Sequence, residues 1–176
     1  METTVTGSGP TGDAGRRRRD LAARWWKWAF SAPAGHSPVR DRTGEHAAWG
    51  QAADVWFLAG TFGGRAERRC RVPAGTPLFF PVFTYEITAL LAPLGAPRMQ
   101  LAVAKADLNG SPLPLHETSA GWYWSRGLPR STWGHWCSIE PLRPGQYVLW
   151  FKSATPEDFR VEVTYHLEVA DEPAVR

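Results

Sequence analysis

Residues 159–169 read FRVEVTYHLEV, and the strict alternation there decides the class of fold. Phe159, Val161, Val163, Tyr165, Leu167 and Val169 fall on one face of an extended chain, and Arg160, Glu162, Thr164, His166 and Glu168 fall on the other. Successive side chains of a strand point to opposite faces, so this period of two describes a strand with one face buried and one wetted. Working outward, six more stretches read as strands: DVWFLAG at 54–60, ERRCRV at 67–72, PLFFPVF at 77–83, MQLAVAKA at 99–106, HWCSIE at 135–140 and QYVLWFKS at 146–153. The connections carry turn chemistry, with Pro144-Gly145 and Ala74-Gly75 before strands and Asn109-Gly110 suited to the positive dihedrals of a two-residue hairpin. Seven or eight short strands predict an all-β fold, an antiparallel β-sandwich or jelly roll.

The N-terminal end breaks this pattern. Residues 1–18 are rich in Gly, Ser, Thr and Arg and are expected to be a disordered basic tail. From Asp20, a suitable N-cap, the spacing of Leu21, Trp25 and Trp28, with Ala22, Trp26 and Phe30 beside them, predicts one short Trp-rich helix over 20–31 that Pro33 ends. Three tryptophans on so short a helix must dock on the protein body, across a sheet face or over the end of a barrel. A single domain over 19–172 fits a chain of 176 residues.

Charge excludes several partners. Residues 1–27 hold six basic against three acidic groups, so the net +3 is local and the rest of the chain is neutral, which argues against nucleic acid. RRRRDLAARWWKWAFSAPAG imitates a signal peptide, but Arg24 and Lys27 interrupt its apolar middle, and the expected location is cytoplasmic. No stretch reaches the roughly 18 apolar residues of a membrane span, so no membrane partner is expected. Cys70 and Cys137 lack metal-binding spacing; two buried, reduced thiols are expected, with a disulfide as the alternative. No metal and no cofactor is expected.

GTFGG at 60–64 is followed by strand-like RAERRCRV rather than a helix N-terminus, so it reads as a hairpin connection rather than a phosphate cradle. His135, between Trp133 and Trp136, sits in an apolar setting that would keep it neutral, as a general base requires; a structural core histidine is the competing reading. The long loop 34–53 offers Glu45 and His46 as a candidate acid–base pair, against solvated loop charges. Trp49, Trp122, Trp124, Trp133 and Trp136 fall in or near expected loops, where they could either line a site for a ring-bearing or apolar ligand or complete a large core. Three functions follow: a small-molecule binding protein, a cofactor-independent cyclase, isomerase or hydrolase using His135, His46 or Glu45, and a protein-interaction module.

GQAADVWFLAGTFGGRAERRCRVPAGTPLFFPVF at 50–83, with DRTG at 41–44, LRPGQYVLWFKS at 142–153 and FRVEVTYHLEV, resembles a family of uncharacterised bacterial proteins. The resemblance covers about residues 25–170 and implies no activity. Many members look exported, and some carry a second cysteine just before G-Q, where this chain has Ala47. The resemblance thus implies that Cys70 has lost a neighbouring partner here.

Overall fold

The computed structural model describes residues 10–171 of the chain, with side chains from residue 12. Helix α1 spans Pro10–Ala29, so the expectation of disorder up to residue 18 is corrected for residues 10–18, while residues 1–9 lie outside the described residues. A proline at the first helical position and Asp13 in the first turn favour an earlier start than Asp20. Arginine is a good helix former, so the run Arg16–Arg19 extends the helix through solvent. Leu21, Ala22, Trp25, Trp26, Trp28 and Ala29 form its buried face.

Nine strands follow among the described residues: β1 (Trp56–Phe57), β2 (Gly64–Pro73), β3 (Leu78–Thr88), β4 (Val103–Leu108), β5 (Ser111–Pro112), β6 (His116–Ser125), β7 (Leu128–Ile139), β8 (Gly145–Ala154) and β9 (Arg160–Ala170). They make two facing sheets, β1-β3-β7-β6 and β2-β9-β8-β4-β5. The sandwich is therefore as expected, but it is mixed rather than antiparallel. β1 pairs with β3 and β2 with β9 in parallel. The cause lies in residues 55–83: the chain leaves β1 in the smaller sheet, crosses to the larger as β2, and returns as β3. GTFGG is thus a crossover between sheets, not a hairpin. Asn109 and Gly110, with φ 50° and 79°, do close the β4–β5 hairpin.

Alternation along β3 feeds two cores. Leu78, Phe80 and Val82 point between the sheets, where they meet Phe151, Val163, Tyr165 and Leu167. Phe79 points outward, where it packs with Trp136, Phe57 and the tryptophans of α1. The helix docks across the outer face of the smaller sheet, giving three layers. Its Arg24 grips Asp54 with two hydrogen bonds of 3.0 and 2.6 Å, just ahead of β1.

Two sheet edges are closed by side chains and loops. β1 is an edge strand, and Gln51 stands in for a missing neighbour: its Nε2 donates to Phe57 O at 2.8 Å and its Oε1 accepts from Phe57 N at 2.8 Å. Gln51→Ala strands both backbone groups and is expected to cost about 2 kcal/mol, read from the shift of a urea unfolding midpoint. β2 is the other edge, covered by the turn Asp41–Gly44, whose Thr43 O accepts from Arg69 N at 2.8 Å.

Candidate functional site

A cleft of about 180 Å³ opens where α1, the crossover after β1 and the rims of both sheets meet. Trp25 and Trp26 form one wall, Pro81 and Phe83 another, and Phe62, Phe159 and Val161 complete it. Local sequence explains the opening. β3 slips register between Pro81 and Phe83, and such a bulge bends a strand away from its partner. Gly63 lets Phe159 approach within 3.1 Å of where a Cβ would stand, and it holds φ at 110°.

Every side-chain polar group bordering the cleft is turned elsewhere. Trp25 Nε1 donates to Leu58 O and Trp26 Nε1 to Thr132 Oγ1, both at 2.8 Å. Thr84 Oγ1 is bonded to Trp133 O at 3.0 Å, and Thr61 Oγ1 accepts from Gly63 N at 3.2 Å within its own turn. Most of the surface facing the space is aromatic and aliphatic. No titratable side chain among the described residues lines the cleft.

Beneath its floor lies Arg68, only 1% exposed. Its Nε donates to Asp41 O at 2.7 Å, Nη1 to Ala59 O and Tyr165 Oη at 2.5 and 2.8 Å, and Nη2 to Val39 O and Gly60 O at 3.1 and 3.0 Å. All five donors are satisfied, every acceptor is neutral, and no carboxylate pairs with this guanidinium among the described residues. The side chain ties the 39–41 loop and the 59–60 crossover to β2 and β9. Its position shapes the cleft from below.

Asp41 organises the loop that Arg68 holds. Its Oδ1 accepts from Thr43 N at 2.8 Å and its Oδ2 from His46 N at 2.9 Å. Burial alone would raise its pKa, but those N–H groups outweigh burial and hold the carboxyl below the usual range. Asp41→Ala is expected to cost about 2 kcal/mol at neutral pH. Because the folded pKa is the lowered one, this contribution is full above about pH 4 and fades as pH falls through it. Denaturation of both proteins from pH 7 downward should show the gap closing in acid.

The residues picked out from sequence are placed elsewhere. His135 lies on β7 with its ring 5.3 Å from Trp133, and burial lowers its pKa. The His46 ring lies 4.9 Å from that of His36, tilted by 54°, while Glu45 is exposed and makes no side-chain hydrogen bond among the described residues. Trp133 and Trp136 are core residues on β7, and Trp122 and Trp124 are exposed on β6, so these four are strand rather than loop residues. Trp49 is an exposed loop residue whose carbonyl accepts from Trp28 Nε1 at 2.7 Å. None of these eight residues lines the cleft. Cys70 and Cys137 are free thiols, Cys137 buried and Cys70 partly so, and burial pushes both up to about 12.

Sequence reasoning missed one polar knot. Glu86, its side chain 3% exposed, accepts from Tyr123 Oη at 2.8 Å and pairs with Arg126 and Arg130. Burial nonetheless raises its pKa, against the pull of Tyr123 and both arginines. The knot fastens the β6–β7 hairpin to the end of α1, where Arg126 lies 3.7 Å above the Phe30 ring.

No helix among the described residues is long and apolar enough to cross a membrane. No family model, curated protein or solved structure matches the chain.

Proposed function

We propose that this protein is a cytoplasmic binder of a small, ring-bearing or apolar molecule, seated in the cleft between α1 and the open rim of the sandwich. One observation carries the reading: the space is about 180 Å³, and the side-chain polar groups around it are already bonded elsewhere. A dry apolar cavity of roughly 150 Å³ suffices for benzene, whereas sites for drug-sized ligands start near 300 Å³. The ligand is therefore about one or two rings in size. The interrupted apolar run at Arg24 and Lys27 and the two free thiols support a cytoplasmic setting. Three motif pieces of the family that the sequence resembles, Asp41–Gly44, Gln51 and Arg68, meet around β1 and β2, which supports membership.

The test is calorimetric titration with 2-naphthamide, a neutral two-ring probe. Phe62→Ala and Phe159→Ala each remove an exposed wall of the cleft and are expected to weaken binding about ten-fold, the worth of one good aromatic contact. Unchanged affinity in both variants, or no binding to the wild type, defeats the proposal.

A second reading, the interaction module, draws on a different region. Leu90, Leu91 and Leu94 are 73%, 78% and 94% exposed in the loop after β3, and that loop lies against Gly121, next to exposed Trp122. Exposed leucines clustered in one loop, rather than scattered singly, are a feature of interaction sites. Sedimentation of the purified protein should show self-association lost in Leu91→Ser/Leu94→Ser if this face binds a second copy.

A further inference from the structure

The wall formed by Phe62 divides two spaces. On its far side from the aromatic cleft lies a recess, also of about 180 Å³, that shares Val39, Thr61 and Phe62 with the cleft. Its lining differs in kind, being built from Arg40, Arg42 and Arg65 with a single acid, Asp41.

The charges there do not cancel. Both Asp41 carboxylate oxygens accept from N–H groups of the loop itself, Thr43 and His46, so that acid is turned inward. Arg65 is paired with Glu162 at 2.9 Å. Arg40 and Arg42 are exposed and form no ion pair among the described residues; Arg40 lies 5.1 Å over the Phe62 ring, at the divide between the two spaces. Below them is Arg68, buried, bonded only to neutral oxygens, and touching both spaces through the carbonyls of Val39 and Gly60. A buried charge without a counter-ion acts through low dielectric, and a concave surface focuses its field. A net positive charge thus lies beside an apolar slot.

We propose that the natural ligand is an amphipathic organic acid: a one- or two-ring apolar body fills the cleft, and its carboxylate or similar anionic group lies across Phe62 against Arg40 and Arg42, over the charge of Arg68. This rests on the cleft being the binding site. Arg40 and Arg42 act as the binding residues for the anion, and Arg68 acts from below as a fixed positive charge that needs no contact with the ligand. Charge-assisted bonds from arginine to a carboxylate are about twice as strong as neutral ones, so the acid is selected over its amide.

The experiment compares 2-naphthoate with 2-naphthamide, which share the ring system and differ in charge. Wild-type protein is expected to bind the acid at least about ten-fold tighter at low salt, with the preference shrinking as ionic strength approaches about 0.5 M. The double variant Arg40→Gln/Arg42→Gln alters only exposed side chains. It should shrink the preference for the acid at least about three-fold, with the loss falling on 2-naphthoate rather than on 2-naphthamide; what preference remains belongs to Arg68. Equal binding of acid and amide by wild type overturns this inference and leaves the apolar cleft standing. A preference for the acid that is undiminished in the double variant overturns the assignment to Arg40 and Arg42. Failure of both compounds to bind overturns the cleft itself, and the inference with it.

Discussion

Arg68→Met is expected to remove about 3–5 kcal/mol of folding stability, since several buried acceptors lose their donor at about 1–3 kcal/mol for each one left unsatisfied. The loss is not that of a salt bridge, because no carboxylate partners this arginine. It comes from what stays behind: the carbonyls of Asp41, Val39, Ala59 and Gly60 and the hydroxyl of Tyr165 lose a shared donor in a largely buried setting. Tyr165 Oη keeps Ala59 O, 3.0 Å away, as a partner, whereas the four carbonyls are drawn toward one fork of five N–H groups. Arg68→Lys retains the charge but offers three donors from a single point, so it is expected to rescue less than half of the loss. Urea unfolding of the three proteins measures this, and a methionine variant within about 1 kcal/mol of wild type would show that the clasp is dispensable.

The next largest effect is expected at Gly44. Its backbone holds φ at 94°, and a Cβ built there would stand 2.1 Å from Arg69 O. The obstacle is main chain of β2, which cannot rotate aside as a side chain could. Relief requires the turn to lift from the strand edge, breaking the bond from Arg69 N to Thr43 O and disturbing Asp41, whose carbonyl is an Arg68 acceptor. Gly44→Ala is therefore expected to cost at least about 3 kcal/mol, strain and overpacking combined. Gly110→Ala supplies the control. It too has positive φ, 79°, yet nothing lies within 4 Å of its added Cβ. Only the conformational penalty applies, about 1 kcal/mol. Comparable losses at the two glycines would contradict the close approach at Gly44.

The sheet-forming segments were legible where one rule acted alone. β9 alternates without a break, and Val161, Val163, Tyr165, Leu167 and Val169 lie inward as read, whereas Phe159 falls just before the strand and is exposed. β6 was not legible, because the bulge between Ala120 and Tyr123 breaks the period and Trp122 adopts φ of 54°, a rare conformation for so large a residue. A bulge is a tertiary decision: Gly121 is needed there because its missing Cβ would stand 2.2 Å from Pro93 O. Parallel pairing was hidden for a similar reason, since crossovers and hairpins can share the same glycine-rich spelling. The cleft is not legible in the sequence, because its lining tryptophans sit on the helix, where docking alone already accounts for them. Arg68 did leave a trace. In GRAERRCRV it shares parity with Ala66, Cys70 and Val72, the inward positions of the strand, and a lone arginine on a buried face marks a position held by something other than apolar packing.

The parallel partnership of β2 and β9 fixes the order in which this protein can be finished. Arg65 faces Glu162 and Arg68 reaches Tyr165, each across 97 positions of chain. Closing so long a loop is entropically costly and contributes nothing until the far strand arrives, which slows topologies dominated by distant contacts. During synthesis, β1, β3, β6 and β7 can assemble under the tryptophan helix while β2 still waits. Throughout that interval its arginine-rich edge has no neighbour. Charge on an unpaired strand discourages association with other chains, so the arginines at 65, 69 and 71, exposed in the finished fold, keep the nascent strand soluble until β9 is made.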